Sequence, residues 1–334
     1  MQTYMLKRLF LLLPVLLGIS LVVFFVIHLI PGDPVTVMLG EKASPEVAEK
    51  WREELGLNDP IYVQYSRFLG RAVQGDLGKS IRNGEMVSKL LVQRLPATLE
   101  LTFISMLIAV IIGVFLGVVA AVRQYSIWDN FSMVLAIAGV SMPVFWLGLM
   151  LIIVFTINLG WLPATGRLTV GLDISRISGL HLLDSLLTMN FEGFKDALEH
   201  LIMPAVALSA VQLAIIARLT RSSMLEVIRM DYIRTARAKG LSERVVIYKH
   251  AIRNALIPVI TIIGLTLGRL LGGAVLTETV FAWPGIGKMA VDAIYARDFP
   301  LVQGIVLIVA TGFVIVNLLV DYCYAMIDPR IRYD

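Results

Sequence analysis

Few residues in this chain have the types and spacing to do chemistry, and most of those few exclude themselves. Gly78-Lys79-Ser80 has the look of the end of a phosphate-binding loop. Such a loop needs a glycine five residues before Gly78, so that its backbone amides can cradle phosphate, and that position is Val73. No other Gly-Lys-Ser/Thr occurs. Any ATP used on behalf of this chain would be hydrolysed by another. The four histidines, His28, His181, His200 and His250, lack metal-ligand spacing, and a single cysteine, Cys323, supports neither a disulfide nor a metal site. No nucleophile–base cluster marks an enzyme. What remains is cationic: Asp231 to Gly240, reading DYIRTARAKG, continues through His250 to Asn254 and Pro258, between two apolar runs.

The elements around this segment are set by composition. The chain has 334 residues, 57% hydrophobic and 16% charged, with mean hydropathy +0.80. A soluble domain would carry about 25% charge. About 20 apolar residues cross the hydrocarbon layer, and six runs qualify: 9–30, 99–122, 131–159, 201–217, 255–277 and 301–324. The first follows Lys7-Arg8 but is too long for a cleaved signal, so it reads as an uncleaved span. Pro143 offers a bend in the long third run, and Pro204 interrupts the start of the fourth. The predicted fold is an all-α polytopic membrane protein of about six transmembrane helices.

Orientation follows from lysine and arginine. Lys7, Arg8, Arg123, the fourth–fifth loop (Arg218, Arg221, Arg229, Arg234, Arg237, Lys239, Arg244, Lys249, Arg253) and Arg330 and Arg332 share one side if both termini are cytoplasmic. The net charge of +4 is thereby explained without nucleic acid. The outer loops mix both signs; one has an amphipathic helix near 45–55, opened by Ser44 and Pro45. The division expected is a first span (1–30), an extracytoplasmic loop (31–98), a permease core (99–324) holding the inner loop 218–254, and a tail (325–334).

The inner loop is rich in helix formers and is expected to form a helix, break at Gly240, and restart near Ser242. Ile233, Ala236 and Gly240 share one face at helical spacing, a small-residue face that could enter a groove. Composition weighs this evenly against a basic stretch lying on lipid headgroups. Gly264, Gly268 and Gly272 repeat every four residues on the fifth span, as do Gly113 and Gly117 on the second, which reads as helix packing. Arg269 lies inside the fifth span, where a cation costs about 2.5–3.5 kcal/mol, so it should line a path, pair with Glu278 or Asp298, or snorkel to the outer interface. Trp283 to Gly287, reading WPGIG, forms a bend where tryptophan could anchor at the outer interface.

These residues resemble the permeases of ATP-binding-cassette (ABC) importers, in their dipeptide/oligopeptide branch, related also to nickel and glutathione importers. The resemblance is carried by Asp231–Leu241, His250-Ala251-Ile252-Arg253-Asn254 and Pro258. It extends through Pro31-Gly32-Asp33-Pro34, Gly75-Asp76-Leu77-Gly78, Ser141-Met142-Pro143, Thr277-Glu278, Trp283-Pro284-Gly285-Ile286-Gly287 and Asp328-Pro329-Arg330. It covers essentially the whole chain. It departs from the wider family where Arg234 replaces a glutamate, Thr235 an alanine and Arg253 a proline. It implies a type I importer fold and a non-catalytic subunit with no cofactor of its own, ATP and magnesium being held by partners. The implied partners are a second permease, two ATP-binding subunits, an extracytoplasmic substrate-binding protein and the membrane lipid. Arg234, Thr235, Ala236, Arg237, Lys239, Gly240, His250 and Asn254 would form the ATPase-coupling loop. Glu278, Trp283 and Gly285 would lie near the path or outer gate; Arg269 is placed on the path by its cost within the span and not by the resemblance. The cargo would be a peptide, with nickel or glutathione as alternatives. An ion-coupled transporter would need carboxylates within its spans, whereas Glu100 and Asp321 lie near span ends.

Overall fold

A computed structural model describes residues 2–29, 35, 44–271 and 274–327. Among these there are helices and loops but no strand. The turn at Pro31–Pro34, Gly272 and the tail from Asp328 fall outside them.

α1 (Gln2–Leu29) comes first; its apolar stretch Pro14–Val26 is shorter than a full crossing, so among the described residues four helices, or five counting one bent pair, are long and apolar enough to span, against the six expected. Two outer helices follow, α2 (Pro45–Leu55) and α3 (Ile61–Val73). As expected, Ser44 caps α2, accepting from the Val47 amide at 3.4 Å, with Pro45 at the first helical position; Gly56 closes it at φ +68°. α4 (Val87–Val122) starts twelve residues before the apolar run and carries Pro96 without breaking. α8 (Phe191–Ile228) likewise runs 38 residues straight through Pro204. Both prolines are buried, and packing on both sides holds the helices together where the amide is missing.

The core is α4 laid along α8. Glycines permit the close approach: a Cβ on Gly113 would meet the Leu213 carbonyl at 3.0 Å, and one on Gly117 the Ala217 carbonyl at 2.6 Å. Contacts advance together along both helices, so they are parallel, and the chain between them must recross. It does so as a broken span. α5 (Ile127–Ser141) ends at Ser141, and α6 (Val144–Leu151) leaves at 103° after Pro143, continuing as a π-helical stretch, Ile152–Asn158. Asp129 pairs with Arg221, Gly139 lies 2.9 Å (as Cβ) from the Ala210 carbonyl, and Leu151 and Phe155 pack with Met203 and Ala207. The bent pair thus travels back along α8 from residue 221 to residue 203. It is one crossing and not a re-entrant loop.

After α8 come a short α9 (Asp231–Ala238) and α10 (Ile252–Leu271), the fifth span; then α11 (Val275–Val280), α12 (Ile286–Tyr295) and α13 (Phe299–Ile327). The seventh helix in chain order, α7 (His181–Leu187), lies in the second outer loop. The glycine stripe on α10 is a packing surface within the chain: Gly264 is buried, and a Cβ on Gly268 would meet Phe313 of α13 at 3.1 Å. α1 packs against α13.

Because Gly117 abuts the Ala217 carbonyl and the Cβ of the stiff, β-branched Thr220, Gly117→Val should cost about 1–3 kcal/mol through overpacking. A lowered midpoint of thermal unfolding in detergent checks this. An unchanged midpoint would mean that α4 and α8 are not held at this distance.

Candidate functional site: an inner helical segment and an outer lattice

The inner segment is a helical hairpin with one break more than the sequence suggests. α8 ends at Ile228; Met230 is extended (ψ 148°) and starts α9 anew. α9 ends at Ala238 with Lys239 as its C-cap, and Gly240 turns the chain at φ +78°, the left-handed conformation foreseen for it. Its amide donates to the Arg237 carbonyl at 2.9 Å. Ser242 has N-cap geometry but makes no side-chain cap bond. The chain then passes through a turn at Glu243–Val245 and a π-helical stretch, Val246–Ala251, into α10 without interruption.

The face of α9 is the reverse of the one expected. Ile233 (0% exposed) and Ala236 (8%) point inward, packing in one cluster with Met224, Val246, Ala251 and Ala255. The apolar face is spent on holding α9 to the core. Arg234, Thr235, Arg237, Lys239 and Gly240 are on the outward face. Arg237 is braced by Glu243 at 2.6 Å, Arg234 reaches Asp231 at 3.4 Å, and the Asn254 amide donates to the Tyr232 hydroxyl at 2.8 Å. His250 lies within the π-helical stretch. The structure therefore brings together all eight predicted residues of this segment, seven of them outward or at its base and Ala236 inward.

The outer site is a buried lattice joining three elements. From α4 come Ala97, Thr98 and Glu100; from the second outer loop, Arg167; from α11 and the turn after it, Glu278, Trp283 and Gly285. Glu278 is fully buried, accepting from the Thr98 hydroxyl and the Lys288 amide, both at 2.8 Å. The Thr98 hydroxyl in turn accepts from the Ile286 amide at 2.8 Å. Thr98 and Glu278 thus satisfy the open first turn of α12 from outside it. Gly285 is required here, since a Cβ would collide with the Glu278 carboxyl group and the Thr98 hydroxyl. Trp283 is 1% exposed: its indole donates to the Ala97 carbonyl at 2.8 Å, and the Arg167 guanidinium lies 5.5 Å over its ring. The interfacial anchor expected of Trp283 is not what it does; its polar edge is used up inside the protein.

Arg167, 8% exposed, pairs with the buried Glu100 and donates to the Gly179 carbonyl at 3.1 Å; Glu100 also accepts from the Leu182 amide at 2.8 Å. Sequence reasoning missed this pair, although a glutamate two residues inside an apolar run was the signal. A charge placed there demands a partner. Arg269 stays apart from the lattice: it is exposed and forms no ion pair among the described residues. Its proposed partners are engaged elsewhere. Glu278 is bound as above, and the buried Asp298 accepts from the Ser80 hydroxyl at 2.5 Å. That last contact also gives Gly78-Lys79-Ser80 its role, a turn seating the first outer loop on the start of α13. No group of three histidine, cysteine or acidic side chains forms a metal site among the described residues.

His181, beside this lattice, has its pKa pushed down to about 4, by burial first and then by the Arg167 cation. The ordinary value is near 6.5. Between these limits the unfolded chain binds a proton that the folded one does not, so stability falls as pH drops below 6.5 toward 4. Thermal unfolding across pH 7.5 to 5 should show a decline that His181→Asn flattens, worth about 1–3 kcal/mol at the acid end. Identical slopes for the two proteins would contradict it.

Comparison with known proteins bears on the family and the fold. Residues 113–333 match the family described as binding-protein-dependent transport system inner membrane component, and residues 1–102 match the N-terminal region of such components. The dipeptide transport system permease protein DppB of Alkalihalophilus pseudofirmus is 50% identical over 333 residues, covering 100% of both chains. The di/tripeptide permease DppB of Pseudomonas aeruginosa is 49% identical over 334 residues, covering 100% of this chain and 99% of its own. The dipeptide permease DppB of Escherichia coli K12 is 47% identical over 337, again covering 100% and 99%. Among solved structures, an inward-facing MetNI methionine ABC transporter matches with TM-score 0.53 at 19% identity, covering 72% of this chain and 96% of that one. This last likeness speaks for the type I importer permease fold.

Proposed function

Because this chain belongs to the family of inner membrane components of binding-protein-dependent transport systems, we infer that it forms part of the path of an ATP-driven importer for di- and tripeptides. The observation that carries the cargo is near-identical length, at 47–50% identity, with three permeases named for dipeptides or di/tripeptides. The energy arrives from ATP-binding partners through residues 231–254. A second permease completes the path, and a binding protein delivers the peptide from outside.

The geometry supports this reading through its connections. α9 presents five polar or small outward residues on a base fixed by Ile233 and Ala236. A partner cleft closing around α9 would push on a rigid body and not on a loose loop. That body is continuous through Ser242–Ala251 with α10, and α10 leads outward to the α11–α12 lattice. Displacement at the cytoplasmic end can thus be passed along one span to the outer end, where Glu278 and Thr98 hold α12. Alternating access is the exchange of two positions of this lever, each favoured by a different state of the ATPase.

The test is uptake by the assembled complex in vesicles, with the binding protein outside and ATP inside. Labelled dipeptide should accumulate, and accumulation should stop without ATP. Accumulation of nickel or glutathione in place of dipeptide would move the cargo to the related branches. Uptake driven by an ion gradient without ATP would overturn the reading altogether.

A further inference from the structure

At the cytoplasmic end of the bundle, α4, α5 and the docking segment enclose a furrow of about 430 Å³. Its walls are apolar, with Phe115, Val119 and Phe131 along its length. Its rim is not. Arg123, the C-cap of α4, holds its guanidinium 6.0 Å over the Trp128 ring, and Arg244 faces it from the docking segment. Both arginines are exposed, and neither forms an ion pair among the described residues. The acidic group at the rim, Glu243, is already held by Arg237 at 2.6 Å. Tyr248 (68% exposed) and Trp128 (55%) complete the rim, amphipathic rings of the kind that gather where bilayers meet water.

An apolar trough ending in two uncompensated cations matches one kind of molecule, an amphiphile with an anionic head. The lysine and arginine distribution puts this end on the cytoplasmic leaflet, where acidic lipids attract basic residues. We propose that the furrow binds an anionic phospholipid of the inner leaflet, its phosphate between Arg123 and Arg244 and its acyl chains along Phe115, Val119 and Phe131. The lipid bridges the α4–α5 elbow to the base of the docking segment, and so steadies the segment that receives the ATPase. This depends on the membrane orientation and not on the identity of the cargo.

Trp128 reports on the site directly. The assembled complex is placed in vesicles of phosphatidylcholine and phosphatidylglycerol, with bromine on the acyl chains of one lipid or the other. The quenching lost on Trp128→Phe isolates the Trp128 signal. Brominated phosphatidylglycerol should quench that signal with an apparent preference of about five- to tenfold over phosphatidylcholine. Arg123→Gln with Arg244→Gln should bring the preference close to unity, and Arg123→Lys with Arg244→Lys should keep most of it. Raised salt should weaken it. Equal quenching by the two lipids overturns the proposal, reducing the furrow to ordinary bilayer contact. Quenching by neither also overturns it, since the furrow is then covered by protein. A preference that survives removal of both arginines does so as well.

Discussion

Gly240→Pro should leave the spans folded and the complex assembled while cutting ATP-driven uptake by roughly 30- to 100-fold. Gly240 sits at φ +78°, and proline is fixed near −65°. Proline cannot take up this conformation, so the turn must rebuild, at a cost of at least about 1–2 kcal/mol, and proline also removes the amide that donates to Arg237, worth about 1 kcal/mol. Together these move the equilibrium away from the docking geometry by about 2–3 kcal/mol, hence the predicted factor. The damage should stay local. Nothing lies within 4 Å of where a side chain on Gly240 would begin, so the substitution disturbs no core contact. Gly240→Asn is the control, because asparagine visits this conformation routinely. It should retain most uptake. ATP hydrolysis by the assembled complex, measured beside uptake, separates uncoupling from loss of the partner.

Arg167→Met should be the most destabilising single change at the outer end, by about 3–5 kcal/mol. The guanidinium is buried against Glu100, the Gly179 carbonyl and the Trp283 ring. Removing it strands the Glu100 carboxylate with the Leu182 amide as its remaining donor. The cost comes mostly from that stranded charge. Arg167→Met combined with Glu100→Gln should therefore recover a large part of the loss, which a double-mutant cycle on thermal unfolding measures. If the double variant is as unstable as the single one, packing against Trp283 and not charge is what Arg167 supplies.

These two residues also mark what a sequence can and cannot disclose here. Gly240, Ser44 with Pro45, and the bend at Pro143 were legible because each acts within a few residues of itself. Glycine at a helix end, a cap, and a proline in an apolar run are local physics. So too were the four to five apolar spans among the described residues, fewer than the six expected, since these need only length and composition. The breaks at Met230 and the two π-helical stretches were hidden, since nothing in their residue types opposes an ordinary helix; tertiary packing decided them. Ile233 and Ala236 show the same limit in another form. Their common face was legible, but whether it meets a partner or the protein's own Met224 and Val246 depends on how α9 lies against α8 and α10. The outer lattice was least legible. Thr98 and Glu278 are 180 residues apart, and Glu100 and Arg167 are 67 apart. The individual charges could be noticed; their pairing could not be derived from spacing.

The central claim is that the outward face of α9 is where an ATP-binding subunit docks. A photoreactive benzoylphenylalanine at Thr235, with a second protein carrying it at the fully exposed outer residue Val170 for comparison, tests this in native membranes. Irradiation of the Thr235 protein should yield an adduct containing the ATP-binding subunit, and the Val170 protein should yield none. Adducts at Thr235 with lipid alone, in a complex that still contains the ATP-binding subunit, would contradict the account.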